Sequence, residues 1–266
     1  MKNLIKILLI FLMTFSLCGC VFESKKPQDA LLRSKMTNKI IVGVKDDSKP
    51  FGFIDKNGNH AGFDIDIAHQ IAKRILGDEN AVEFVVITPQ SRISDLNSRK
   101  IDMIIAVMTK NEARSAVVNF SHPYFVAGQA IMVNRGSDIN SLSDLNGRNV
   151  GFILGTTGES VIRKLAPAAN LRAAKSYHEI YKLLKNNEIE AILADDSILY
   201  GFLADDNKVK ILPRRYTKEQ YAIALRKSPE SHKLLEAVNE ALYAMNQDGT
   251  LNKIKNKWVN DLQLKK

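Results

Sequence analysis

Two α/β lobes joined by a pair of strands are what the sequence predicts, and three observations carry that expectation. Patterns of buried strands alternate with helical ones between Ile40 and Ala106, and the alternation starts afresh from Leu142 onward. Two apolar stretches, Ala127–Val133 and Tyr221–Leu225, lie where the chain would pass from one lobe to the other and back. Two crossings make a hinge of two strands.

In the first half, Ile40–Val44 reads as a buried strand, and Asp64–Leu76 carries Ile65, Ile67, Ala68, Ile71, Ala72 and Ile75 at helical spacing until Gly77 stops it. Val82–Ile87 supplies another strand, Ile93–Asn97 a short helix, and Ile101–Ala106 a third strand. In the second half, Asn149–Ile153 and Ile189–Leu193 read as strands, with helices over Glu159–Leu165, Ile180–Leu184 and Ile198–Leu203. The helical patterns Leu234–Met245 and Leu251–Trp258 would return to pack on the first lobe. The expected division is a segment 1–19 that is removed, a tether over 20–37, one lobe from 38–125 and 223–266, and the other from 126–222.

The start of the chain gives an address. Lys2 and Lys6 precede an apolar run, Ile7–Leu17, too short to span a bilayer, which is the layout of a secretory signal peptide. The run ends in Leu17-Cys18-Gly19-Cys20, which resembles the bacterial lipobox that directs lipidation of Cys20 and cleavage before it. The product would carry one cysteine and no internal disulfide, so its core alone must stabilise it. Without residues 1–19 the chain keeps 36 basic against 29 acidic side chains, a net charge of +7, and no run of five basic residues. Such scattered charge reads as solvated surface, and no nucleic-acid partner is expected. The residues between Cys20 and Asn38, with Ser24, Lys25, Lys26 and Pro27, read as a flexible link.

No Gly-x-Ser-x-Gly, Walker loop, Gly-x-Gly-x-x-Gly, His-x-x-x-His or Cys-x-x-Cys pattern is present, so no catalytic centre, cofactor or metal is expected. His122 and His178 read as structural or rim residues, and Asp64, of the acid pair with Asp66, as a helix cap. What remains is a set of charged groups at strand ends, where open α/β sheets bind ligands. Thr109 and Arg114 follow the strand ending at Ala106, and an arginine there could hold a carboxylate through paired hydrogen bonds. Gly155-Thr156-Thr157-Gly158 precedes a helix whose first N–H groups could receive an anion, though glycine and threonine are also ordinary loop residues. Asp195 ends a strand and could accept from an ammonium group or simply cap the next helix.

Several segments in one order resemble the family 3 solute-binding proteins of polar amino-acid ABC importers, over nearly the whole chain. They are Ile41–Asp46 with Pro50–Phe53, Gly62–Ala68, Arg114 followed by Asn119–Phe125, Ser143–Gly147, Gly155–Thr157, and Asp248–Thr250 with Lys257-Trp258. The resemblance implies a type II periplasmic-binding-protein fold whose lobes close on an amino acid. Arg114 would grip the α-carboxylate with Thr109 and Thr157, and Asp195 the α-ammonium. It further implies an ABC permease and ATPase as partners, a monomeric receptor, and an extracytoplasmic place with membrane attachment through lipid on Cys20.

Arg92 resembles the arginine that glutamate and aspartate receptors of this family use for the distal carboxylate. Lys45 matches a basic position and Tyr177 a polar ring of the same subgroup. A second carboxylate needs a second cation, so glutamate or aspartate is the expected ligand, with glutamine the alternative. Three departures from the family pattern are Val107, where many relatives have glycine, Lys110-Asn111-Glu112-Ala113 in place of the common Ile-Thr-Pro-Glu run, and Ile153, where some glutamine receptors carry lysine. They disfavour the glutamine-receptor pattern and leave the pocket size open. Other readings are an enzyme on the same scaffold, similar to the cyclohexadienyl dehydratases, and a ligand-sensing lipoprotein.

Overall fold

The computed structural model describes residues 29–260. The expected signal peptide and the lipidation of Cys20 fall outside them. The first element corrects the expected tether: Ala30–Thr37 is a helix, α1. Asp29 caps it by accepting from the Leu32 N–H, Ala30 and Ser34 are buried, Arg33 pairs with Asp102, and Asp29 pairs with Lys233 at 3.1 Å. Ala30 and the partly buried Leu31 are too little for a periodic signal, yet ion pairs from Asp29 at its N-terminus and Arg33 in its middle tie it to the body.

Strand β1 (Ile40–Val44) leads to a small antiparallel sheet of β2 (Asp47–Ser48), β3 (Gly52–Ile54) and β4 (His60–Ala61). Helix α2 (Phe63–Leu76) follows; it buries Phe63, Ile65, Ile67, Ala68 and Ile71 and ends at Gly77, whose φ of 85° closes the last turn. Then come β5 (Val82–Val86), α3 (Arg92–Asn97), β6 (Met103–Ile104), the short α4 (Glu112–Ser115) and the long β7 (Val118–Ala127). β1 runs parallel between β5 and β6, with Val42 opposite both Phe84 and Met103.

The second sheet begins with β8 (Gln129–Asn134) and continues through β9 (Asn149–Ile153), α5 (Thr157–Leu165), β10 (Asn170–Ala174), α6 (Tyr177–Lys185), β11 (Ala191–Asp195), α7 (Asp196–Asp205) and β12 (Val209–Ile211). Its order is β10-β9-β11-β8-β12, with β9 parallel to both neighbours and β8 antiparallel to β11 and β12. β13 (Glu219–Arg226) returns to the first sheet, giving the order β5-β1-β6-β13-β7. Helices α8 (His232–Gln247) and α9 (Thr250–Lys255) then pack against α2, where Arg74 meets Asp248 at 2.5 Å and Trp258 donates to Asp66 at 2.7 Å.

Both crossings lie side by side. β7 and β13 stay paired as far as Ala127 opposite Glu219, so the crossing strand expected over Ala127–Val133 is divided at Gly128 between β7 and β8. A side chain at Gly128 would meet the Thr217 carbonyl at 2.6 Å, which is why this close approach of the two crossings takes glycine. Among the described residues no helix is long and apolar enough to cross a membrane.

Candidate ligand-binding site

The strand ends of the two sheets face each other, and all seven residues singled out in the sequence line one cavity between them. Lys45, Arg92, Thr109 and Arg114 come from the first lobe, and Thr157, Tyr177 and Asp195 from the second, with Pro89, Ala106, Val107 and Thr156 filling the gaps. The cavity is only about 20 Å³. An amino-acid-sized ligand can therefore enter only if the lobes part and the side chains move.

On the first lobe, Arg114 donates to the Thr109 carbonyl at 2.9 Å through Nη1 and to the Gly155 carbonyl of the second lobe at 3.3 Å through Nη2. Arg92 is 4% exposed and donates to the same carbonyl at 3.2 Å, while its Nε has no partner among the described residues. Burial, with repulsion from Arg114, lowers the Arg92 pKa to about 9, and burial lowers that of Arg114. These are two costly cations, and an anion between them would relieve the cost.

The opposite charge is collected at the hinge. Asp195 accepts from the Tyr221 hydroxyl at 2.5 Å and from the Gln129 amide, and Glu219 accepts from the Thr157 hydroxyl at 3.0 Å. Burial raises the Asp195 pKa to about 7, against the Tyr221 hydrogen bond and with help from Glu219 and Asp196. Burial also drives the Tyr177 phenol well up, so it is a neutral hydrogen-bonding ring.

Lys45 departs from expectation. Its Nζ lies 2.9 Å from Asp47, with both side chains about 5% exposed, and the other Asp47 oxygen accepts the Tyr177 N–H across the cleft at 2.9 Å. The lysine is therefore a member of an internal ion pair and brings no free charge for a distal carboxylate. Three cations, Lys45, Arg92 and Arg114, meet three carboxylates, Asp47, Asp195 and Glu219.

Asp47, Gln129, Glu219 and Tyr221 were not legible as site residues. Glu219 precedes Tyr221 by two within β13, so period-two spacing was the signal that placed these two on one strand face, whereas Lys45 and Asp47 lie on either side of the turn between β1 and β2, where no such rule applies. Asp64 is likewise no cap: Gly62 holds the N-cap position, and the Asp64 carboxylate reaches the Val107 N–H and the Tyr124 hydroxyl, both at 2.9 Å. Among the described residues no group of three or more His, Cys, Asp or Glu is placed to hold a metal ion.

Residues 40–261 match the bacterial extracellular solute-binding proteins, family 3. The chain belongs to that family. Relatives of this solute-binding protein include the ABC transporter glutamine-binding protein GlnH of Bacillus subtilis (strain 168), 40% identical over 90% of this chain and 87% of that one. The glutamine-binding protein of Geobacillus stearothermophilus is 39% identical over 79% and 81% of the two chains. Among solved structures, an ancestral arginine-binding protein bound to glutamine superposes with a TM-score of 0.78 at 41% identity, covering 83% of this chain and 97% of that one. The two-lobed architecture is that of the type II periplasmic binding proteins.

Proposed function

We propose that this solute-binding protein delivers a polar, net-neutral amino acid, glutamine, to an ABC importer, tethered to the membrane through Cys20. In this reading Arg114, with Thr109 and Thr157, takes the α-carboxylate and Asp195 the α-ammonium. Arg92, Tyr177 and the Lys45–Asp47 pair surround the distal amide. The observation that carries the choice is the ion pair between Lys45 and Asp47: a cation already neutralised inside the protein has little to offer a second carboxylate. The glutamine-binding relatives support the same choice.

A zwitterion adds no net charge to the buried site, whereas glutamate adds one negative charge. The residual argument for glutamate is the unpartnered Nε of Arg92. Titration calorimetry on the folded domain with glutamine, glutamate, aspartate and arginine is the test. Glutamine should bind most tightly, and a tighter glutamate would overturn the reading.

Lobe closure supplies the mechanism. A ligand touching both lobes shifts the hinge toward the closed arrangement by the difference in its contacts with the two states. The closed cleft already has its own cross-lobe bonds, from Gln90 to the Leu154 carbonyl at 2.8 Å, from the Tyr177 N–H to Asp47, and from Lys49 to Asp205 at 2.7 Å. Less ligand energy is then needed to close it.

A further inference from the structure

We infer that Asp47 sets the preference between amide and carboxylate ligands, by holding Lys45 in an ion pair that also bonds to the opposite lobe. The inference rests on the amino-acid-binding reading of the cavity and goes beyond it, because Asp47 is not among the residues that line that cavity.

Three features of the geometry make the case. Lys45 lines the cavity, and its Nζ is turned to Asp47 Oδ1 on the same lobe. The second oxygen of Asp47 receives the N–H of Tyr177, the first residue of α6, a nine-residue helix capped by Ser176. A carboxylate at that place is favoured by the unpaired N–H groups and positive end of the helix. Despite burial, the Lys45 charge and the Tyr177 N–H hold its pKa below the ordinary carboxylate value. Asp47 thus stays charged with both oxygens engaged.

The consequence is a competition. A ligand carboxylate in the distal part of the cavity would have to draw Lys45 away from Asp47, leaving a buried carboxylate without its cation and with only the Ser48 hydroxyl and the Tyr177 N–H as donors. A neutral amide makes no such demand. Closure tightens the discrimination, since the Asp47–Tyr177 bond joins the two lobes and exists only when they meet. The charge that rejects an acidic ligand is fixed in place by the same movement that captures the ligand.

Asp47→Asn separates these roles, because an amide oxygen can still accept the Tyr177 N–H while the charge facing Lys45 disappears. The measured quantity is the ratio of glutamate to glutamine dissociation constants. In Asp47→Asn it should move toward glutamate by roughly tenfold or more, the worth of one freed charge-assisted hydrogen bond. The double variant Asp47→Asn with Lys45→Met should lose that gain. A purely structural staple would weaken both ligands together and leave the ratio alone, and that result would overturn the inference. Should Asp47→Asn not fold, Asp47→Ser carries the same comparison, since it also removes the charge and leaves an oxygen. The wild-type preference is read separately: glutamate binding tightest to the native protein defeats the glutamine assignment, while an unmoved ratio defeats the role of Asp47 whatever that preference is.

Discussion

The Asp64 carboxylate accepts the backbone N–H of Val107 at 2.9 Å, and so holds a β-branched residue at a φ of 44° on the wall of the cavity. Valine in that region is strained by about 1–3 kcal/mol, and here the surrounding bonds over-determine it. Tyr124 donates to the other carboxylate oxygen. Asp64→Ala leaves the Val107 N–H without an acceptor and should lower unfolding free energy by about 2 kcal/mol, with weaker ligand binding as the corner relaxes. Asp64→Asn can keep both bonds, with Tyr124 turning acceptor. Burial raises the Asp64 pKa from its ordinary 3.8 to about 7. Between those values the folded state holds the extra proton, so this group makes stability fall as pH rises through that window. Urea titrations across it should show a flatter profile for Asp64→Asn than for the native chain; parallel profiles would refute the assignment.

Arg114 presents a fork that already bonds one carbonyl from each lobe, Thr109 and Gly155. Lysine would keep the charge without the planar pair of donors. Arg114→Lys should weaken binding of every amino acid roughly a hundredfold, and Arg114→Ala should abolish it, with unchanged circular dichroism. Calorimetry checks both, and a conservative variant that binds normally would remove Arg114 from the carboxylate site.

Asp195 has a pKa of about 7, raised first by burial. An ammonium ligand favours its charged form, so below that pH binding must expel a proton, and the dissociation constant should rise up to about tenfold for each further unit of acid. Above about pH 8 it should level off. Calorimetry in buffers of different ionisation heat should detect proton release near pH 7. A flat profile with no proton release would exclude Asp195 as the partner of the ammonium group.

Why some of this was legible and some not follows from where each signal lives. Arg114 and Asp195 were found because they follow or end strands, and strand ends in an open α/β sheet converge, whereas Arg92 was found only through the family resemblance; all three line one cavity. Lys45 was also located, but its ion pair was not, because Asp47 falls between the two segments singled out, Ile41–Asp46 and Pro50–Phe53. The Asp47 bond to Tyr177 spans 130 residues and two lobes, and no spacing rule encodes it. Strand β10 escaped notice because Asn170, Arg172 and Ala173 are exposed at a sheet edge and leave only a faint apolar pattern. Helix α1 escaped for the same physical reason, since Ala30 and Ser34 are its buried residues.

Gly201 offers a way to separate closure from folding. It lies in α7 of the second lobe, and a Cβ there would stand 2.1 Å from the Lys49 carbonyl oxygen of the first. Backbone cannot yield by that much, so Gly201→Ala should act as a wedge that the closed arrangement rejects. With the lobes parted the same methyl meets no such obstacle, and alanine within a helix is favoured over glycine by about 1 kcal/mol. The ligand-free variant should therefore be as stable as the native chain or slightly more so. Its affinity for glutamine should fall at least roughly tenfold, and solution scattering should show little of the compaction that ligand produces in the native protein. Native affinity in Gly201→Ala would mean that ligand capture does not require this approach of the lobes.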